Sequence, residues 1–210
     1  QRRRIEFTWN AAEAVLRLEV DGSRVAADME AIVVKDVCLA NGAATVRSAV
    51  GKDEVKDLWK ARRAISASLY RIKPNKINED IVVPRASIPA LIEGLQSISS
   101  RHGLLIASFG HAGDGNIHVN IMYDKKDTAE SVAAEKAVVE VFELCLDLNG
   151  TISGEHGVGI AKARFLEMEL KPAAIELMAR IKKALDPNGV LNPGKIFPDK
   201  QGANRPVETR

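Results

Sequence analysis

Residues 104–122 read LLIASFGHAGDGNIHVNIM, and the fold is organised around this stretch. Apart from Ser108, its first six residues are apolar, which is typical of a buried strand. Residues 117–122 alternate apolar and polar side chains, as a half-buried strand does. The glycine-rich segment between them suits a sharp turn. The sequence therefore predicts two adjacent strands, with His111 at the end of the first and His118 near the start of the second.

Further elements are predicted on both sides of this strand pair. Alternation over residues 14–20 and a β-leaning composition over 44–47 predict two strands, residues 71–80 read as a loop, and 81–83 read as a short strand. Strands mixed with amphipathic helices favour an α+β fold. Capping and stop signals predict helices over residues 23–41, 52–70, 87–102, 127–149, 161–170 and 172–185.

Bulk composition limits the classes of function. The 210 residues suit one domain, with a polar, flexible tail expected over residues 199–210. A net charge of +2 and an aromatic content of 4% argue against nucleic-acid binding. No apolar run approaches the roughly 18–20 residues of a membrane-spanning helix. The composition therefore predicts an ordinary globular domain.

A second glycine-rich segment, GEHG at residues 154–157, adds a carboxylate to the two histidines. Two imidazoles and a carboxylate form the ligand set of an open metal site. His111 and His118 are seven residues apart and can share an ion only if the turn between them folds back. As alternatives, both histidines are ordinary loop or core residues, or Asp114 replaces Glu155 as the third ligand. We expect Asp114 to stabilise the turn and Glu155 to be the ligand.

Other polar residues extend this candidate site. An imidazole such as His156 can move protons near neutral pH, although a hydrogen bond to a loop carbonyl would also explain it. Asn120 lies two positions beyond His118 on an alternating strand and should share its face. An arginine in the segment 59–63 is either a solvated charge or a clamp for a carboxylate.

Three segments together resemble a known family. Residues 109–118 (FGHAGDGNIH), 154–157 (GEHG) and 186–195 (DPNGVLNPGK) resemble the C-terminal domain of FAD-linked oxidases. That family includes D-lactate dehydrogenases, the glycolate oxidase flavoprotein subunit and D-2-hydroxyglutarate dehydrogenase. The resemblance extends over about residues 15–198. It implies a ferredoxin-like antiparallel sheet with helices on one face, additional C-terminal helices, and one domain over residues 1–198.

The resemblance also implies a reaction. His111, His118 and Glu155 would bind a divalent metal, zinc or manganese, and His156 would take the hydroxyl proton of a D-2-hydroxy acid. The hydride from C2 would pass to FAD, giving the 2-oxo acid. The N-terminal FAD-binding domain of the family has no counterpart in this sequence, so the chain alone is expected to be inactive.

The resemblance assigns the remaining site residues as well. The residues implied to hold the substrate are Arg62, Ser66 and Asn120, and those implied to lie near the flavin are Asn192 and Lys195. A lysine of hydroxyglutarate-type members corresponds to Asn78, with Lys76 nearby, which favours lactate or glycolate as the substrate.

Several alternatives stay open at the level of sequence. A non-catalytic module that binds a metal or an organic acid, and a metal-dependent hydrolase, would use the same ligands. The resemblance is compatible with a homo-oligomer and with a bacterial cytoplasmic location, including membrane association through partner subunits. The electron acceptor is not specified by these residues.

Overall fold

A computed structural model of the chain describes residues 14–197, apart from the side chains of Lys52 and Ala61. The chain divides into two compact units, residues 1–64 and residues 65–210. The predicted tail at residues 199–210 lies outside the described part.

The first unit contains helix α1 (Arg24–Ala40) and most of helix α2 (Lys52–Leu69), both as predicted. Ser23 caps α1 by accepting a hydrogen bond from its first turn. The strands predicted over residues 14–20 and 44–47 are wrong, because both segments are irregular. A strand needs a neighbour for its backbone hydrogen bonds, and no described strand pairs with either segment.

The second unit is built on a three-stranded antiparallel sheet in the order β1-β3-β2. Strands β2 (Leu105–His111) and β3 (Asn116–Tyr123) form the predicted pair, and β3 is buried along its whole length. The loop predicted over residues 71–80 is wrong, since strand β1 (Asn75–Val82) begins there. The polar composition of β1 made it resemble a loop, because Lys76, Asn78 and Asp80 lie on the face of the sheet that carries the candidate site.

Helices α3 (Ile88–His102) and α4 (Thr128–Asp147) cover one face of this sheet. Asp127 caps helix α4, and its carboxylate accepts hydrogen bonds from two amides of the first turn. The arrangement confirms the predicted α+β fold with an antiparallel sheet and helices on one face. Fully buried core residues include Leu91, Val119, Ile121, Val141 and Phe142.

The C-terminal part contains the single turn α5 (Leu166–Glu169) and helix α6 (Pro172–Leu185). The helix predicted over residues 161–170 is wrong for its first half, where turns and a 3-10 turn (Ala163–Phe165) replace it. The side chain of Lys162 points inward there, as described below. Among residues 14–197, no helix has the length and apolar character needed to cross a membrane.

Candidate active site

The second face of the sheet carries the polar residues. Residues directly paired across an antiparallel sheet lie on the same face. Asp80 of β1 and Phe109 of β2 both pair with His118 of β3, so these three side chains form one row. Asn78 and Asn120 form the next row along the strands. The pleat therefore places His118 and Asn120 on a common face, as the alternation predicts.

The structure brings His111, His118 and Glu155 together. One potential ligand atom from each lies within 4.8 Å of the other two. His111 Nε2 is 3.7 Å from Glu155 Oε1, and the ring centroids of His111 and His118 are 5.8 Å apart. Two imidazoles and a carboxylate at this spacing can hold a divalent cation with further positions left for water or substrate.

His156 lies beside these ligands. Its ring stacks on that of His118, with centroids 5.4 Å apart and an interplanar angle of 15°. The His156 side chain is half exposed, whereas that of His118 is only 11% exposed. Burial lowers the pKa of His118, an effect that the nearby carboxylate of Asp80 opposes only in part. His118 is therefore the sheltered histidine and His156 the accessible one.

A side chain absent from the predicted site, Asp80, lies at its centre. Asp80 is fully buried, and its Oδ1 accepts a 2.7 Å hydrogen bond from the side-chain amide of Asn116. The other oxygen, Oδ2, accepts from the backbone amides of Gly154 (3.1 Å) and His156 (2.9 Å). Burial alone would raise the pKa of Asp80, but the hydrogen bonds from Asn116 and the His156 amide, together with the nearby positive charge of Lys162, outweigh it and the pKa is lowered.

Backbone pairing holds the second loop next to β1. Val82 and Thr151 exchange two backbone hydrogen bonds at the end of β1, and the amide of Gly154 also donates to the carbonyl of Asp80. Gly154 is required by this close approach: a Cβ atom there would lie 2.2 Å from Asn116 Nδ2. The GEHG segment is thus fixed against the strand that carries Asp80.

A buried ammonium supports the same junction from the helical side. Lys162 Nζ donates 2.6 Å hydrogen bonds to the carbonyls of Asp80 and Ile152, and lies 3.9 Å from Glu79 Oε2. Burial lowers the pKa of Lys162 and raises that of Glu79 to about 7. Lys162 therefore links β1 to the loop that precedes the GEHG segment.

The residues expected to hold the substrate are distributed more widely. Ser66 accepts a 2.8 Å hydrogen bond from Lys76 Nζ, and Lys76 lies on the same face of β1 as Asp80. The amide nitrogen of Asn120 donates to the carbonyls of Ala107 and His118, while its buried Oδ1 has no partner among the described residues. Arg62 belongs to the first unit.

Asn192 and Lys195, expected near the flavin, are exposed in the closing turn, where the Lys195 amide donates to the Asn192 carbonyl. The amide of Ile196 donates a hydrogen bond to the carbonyl of Gly159, which connects the closing turn to the loop that follows the GEHG segment. At the beginning of the closing turn, the Asp186 carboxylate accepts hydrogen bonds from the amides of Val190 and Leu191.

Sequence reasoning overlooks Asp80 and Lys162. Asp80 falls in the segment whose polarity predicts a loop, and Lys162 falls in the segment 161–170, for which a helix is predicted. The available signal for Asp80 is the run Asp80-Ile81-Val82-Val83, in which an acidic residue directly precedes a short apolar strand.

Comparison with known proteins decides the family. Residues 6–196 match the family described as FAD linked oxidases, C-terminal domain. The chain belongs to this family. It is 42% identical over 189 residues to the glycolate oxidase subunit GlcD of Bacillus subtilis (strain 168), covering 89% of this chain and 40% of that protein. The domain therefore spans less than half of that relative's length.

Two further comparisons agree on the domain and its fold. The domain is 39% identical over 150 residues to the D-2-hydroxyglutarate dehydrogenase of Stutzerimonas stutzeri (strain A1501), covering 70% of this chain and 32% of that protein. A solved structure, 4-ethylphenol oxidase from Gulosibacter chungangensis in complex with isoeugenol, is similar with a TM-score of 0.56 and 22% identity. That similarity covers 86% of this chain and 38% of the other, and it shows the fold alone.

Proposed function

We propose that this domain, residues 1–198, supplies the substrate- and metal-binding part of an FAD-dependent D-2-hydroxy-acid dehydrogenase that acts on D-lactate or glycolate. The observation that supports this most directly is the convergence of His111, His118 and Glu155 beside the accessible ring of His156. Family membership supports the flavin as cofactor. The FAD itself would be held mainly by residues outside this domain.

The donor set fits a divalent metal, either zinc or manganese. Imidazole nitrogens and a carboxylate oxygen suit both ions, and the three ligand atoms already lie close to one another without further rearrangement of the fold. When bound, the metal would supply a Lewis acid and the FAD a hydride acceptor. His111, His118 and Glu155 are the residues that we assign to the metal.

The remaining roles fall to residues of this chain. His156 would take the proton of the substrate hydroxyl, since its ring is accessible and adjacent to the ligand set. Arg62, Ser66 and Asn120 would bind and orient the substrate carboxylate. The unpartnered Oδ1 of Asn120 supports a polar ligand on that face of the sheet. In the closing turn, Asn192 and Lys195 would lie near the flavin.

The proposed substrate is a short 2-hydroxy acid. Asn78 is exposed on the site face, where hydroxyglutarate-type members carry a lysine that can bind a second carboxylate. Lys76, four residues before Asp80 on the same face, donates to Ser66. Because Asn78 is uncharged, we favour lactate or glycolate over hydroxyglutarate.

Partners and location are proposed from the relatives. One relative is named as a subunit of glycolate oxidase, which supports an assembly with partner subunits. A homo-oligomer, a bacterial cytoplasmic location and membrane association through partner subunits are all compatible with that assembly.

The test is flavin reduction by the parent protein that carries the FAD. D-Lactate, glycolate and D-2-hydroxyglutarate are mixed separately with the oxidised enzyme, and bleaching of the flavin absorbance is followed in a stopped-flow instrument. We expect D-lactate or glycolate to bleach the flavin. Metal binding without bleaching by any 2-hydroxy acid would instead favour a binding module, and hydrolysis of an ester or amide without flavin would favour a hydrolase.

Two variants separate the base from the metal ligands. His156→Ala should abolish bleaching and leave the metal content nearly unchanged, whereas His118→Ala should lose the metal. His102→Ala is the matched control, because His102 pairs with Glu140 on the helical side of the sheet. Bleaching by His156→Ala at the wild-type rate would exclude it as the base, and full metal content in His118→Ala would exclude that ligand.

A further inference from the structure

Asp80 contacts both segments that carry the candidate ligands, although it contributes to neither glycine-rich motif. From this geometry we propose that Asp80 is a positioning residue: it fixes the tautomer of His118 and the conformation of residues 154–156, so that the ligand atoms converge. The inference rests on the proposed metal site and names the group that prepares that site for the ion.

Asp80 determines which nitrogen of His118 carries the proton. Nδ1 of His118 faces Asp80 Oδ1 at 3.4 Å, and this nitrogen has no hydrogen-bond partner of normal geometry among the described residues. An ionised carboxylate can only accept hydrogen bonds. Facing such a group, the neutral ring is more stable with its proton on Nδ1. The Nε2 lone pair is then available for a cation, which is the tautomer that a metal-ligating histidine with a carboxylate neighbour adopts.

Asp80 also holds the loop that carries Glu155. Its Oδ2 accepts hydrogen bonds from the amides of Gly154 and His156, which are the residues on either side of Glu155. Hydrogen bonds from backbone amides to a buried carboxylate are charge-assisted and stronger than neutral ones. Because both neighbours of Glu155 are held by one oxygen atom, its backbone has little freedom. This backbone position allows the Glu155 carboxylate to approach His111, and Glu155 Oε1 lies 3.7 Å from His111 Nε2.

Asp80 is better explained as an outer partner than as a metal ligand. A second set of potential ligand atoms, from Asp80, His118 and His156, also lies within 4.8 Å. However, both oxygens of Asp80 already accept hydrogen bonds, and the side chain is completely buried. Coordination of a metal by Asp80 would break those hydrogen bonds and release the GEHG loop. Coordination by His111, His118 and Glu155 leaves the hydrogen bonds of Asp80 intact.

The tautomer can be measured directly in the metal-free wild-type protein. We expect two-bond nitrogen–proton NMR spectra of protein labelled with ¹⁵N-histidine to show the His118 proton on Nδ1, at a pH of about 8 where the ring is neutral. The amides of Gly154 and His156 should also exchange slowly with solvent, although both residues lie in an exposed loop. A proton on Nε2, or fast exchange of both amides, would overturn the proposal.

The variant Asp80→Asn tests the consequence for metal binding. Asparagine has nearly the same shape, but its amide nitrogen cannot accept a hydrogen bond, so one of the two carboxylate faces is lost. We expect the dissociation constant for Zn²⁺, measured by calorimetric titration, to rise roughly 10- to 100-fold. The His118 proton should move towards Nε2 in the same variant.

Glu79→Gln is the matched control. Glu79 is the adjacent carboxyl, also buried, but it lies on the opposite face of β1. The Zn²⁺ affinity of this variant should stay within about twofold of wild type, because the substitution leaves the contacts of Asp80 in place. An Asp80→Asn affinity equal to wild type, or an equal loss in both variants, would overturn the proposal.

The outcomes distinguish this inference from the proposed function. If wild-type protein binds neither Zn²⁺ nor Mn²⁺, the proposed metal site fails, while the tautomer and the amide exchange still decide the role of Asp80. If wild type binds Zn²⁺ and Asp80→Asn does so equally well, the inference fails and the proposed site stands. If Asp80→Asn does not fold, the two measurements on wild-type protein give the decision.

Discussion

Glu79→Gln should change how the stability of the second unit depends on pH. Glu79 is only 7% exposed, and burial raises its pKa from 4.5 to about 7 even though Lys162 Nζ lies 3.9 Å away. Between those two values the folded protein holds a proton that the unfolded chain has lost. Raising the pH through this window therefore lowers the free energy of unfolding.

The magnitude follows from the two pKa values. Linkage with pKa values of 4.5 and about 7 gives a loss of roughly 2–3 kcal/mol between about pH 5 and pH 8. A glutamine side chain cannot ionise, so this loss should be absent in the variant. The stability of Glu79→Gln relative to wild type should consequently rise by roughly 2–3 kcal/mol over the same interval.

The assay is a urea titration at the two pH values, followed through the amide NMR signals of β3. These signals report on the sheet rather than on the first unit, which contains the described tryptophan, Trp59. Glu167→Gln, at an exposed carboxyl of α5, is the control and should show no such change. A pH-dependent difference below about 0.5 kcal/mol for Glu79→Gln would refute the reasoning.

Three further changes test the packing around the site. Gly154→Ala forces a Cβ atom against Asn116, so it should weaken Zn²⁺ binding and lower the free energy of unfolding by about 1–3 kcal/mol. Gly113→Ala, which has open space around it, should change neither quantity when calorimetric Zn²⁺ titration and urea unfolding are repeated. Lys162→Met should lower the free energy of unfolding in urea by about 3–5 kcal/mol near pH 8, because it leaves the buried carboxylate of Glu79 without its partner. The loss should be smaller near pH 5, where Glu79 is protonated in the folded protein. Asp127→Ala should cost about 1 kcal/mol through the lost cap of α4, and an unchanged unfolding midpoint would exclude that role.

The local patterns predict much of the fold. The strand pair and the helices α3, α4 and α6 follow from periodicity and capping residues that act within a few positions along the chain. Strand β1 is not found by such reasoning because most of its residues are polar and its partner, β3, lies about forty residues later. Conversely, residues 14–20 alternate like a strand but pair with no described strand. Periodicity identifies a segment that is able to form a strand, but whether it pairs with another strand depends on residues far away in the sequence.

The candidate site shows the same division. Glycine-rich turns around histidines indicate His111, His118, Glu155 and His156 without any geometry, and the structure brings these four side chains together. Asp80 gives no comparable signal, because its role comes from backbone amides some 74–76 residues away in the chain. A backbone amide is present in every residue except proline, so the donor residues do not identify Asp80 as their acceptor.

Glu79 and Asp80 show how the pleat of one strand sets the chemistry of this domain. They are adjacent, chemically alike and both buried, yet the pKa of Glu79 is raised to about 7 and that of Asp80 is lowered. Neighbouring side chains on a strand point to opposite faces. Glu79 faces the apolar helical side, where desolvation dominates, and Asp80 faces N–H donors from the GEHG loop and from the side chain of Asn116. A shift of β1 by one residue would exchange these environments, so the register of β1 on β3 is itself a requirement for the site.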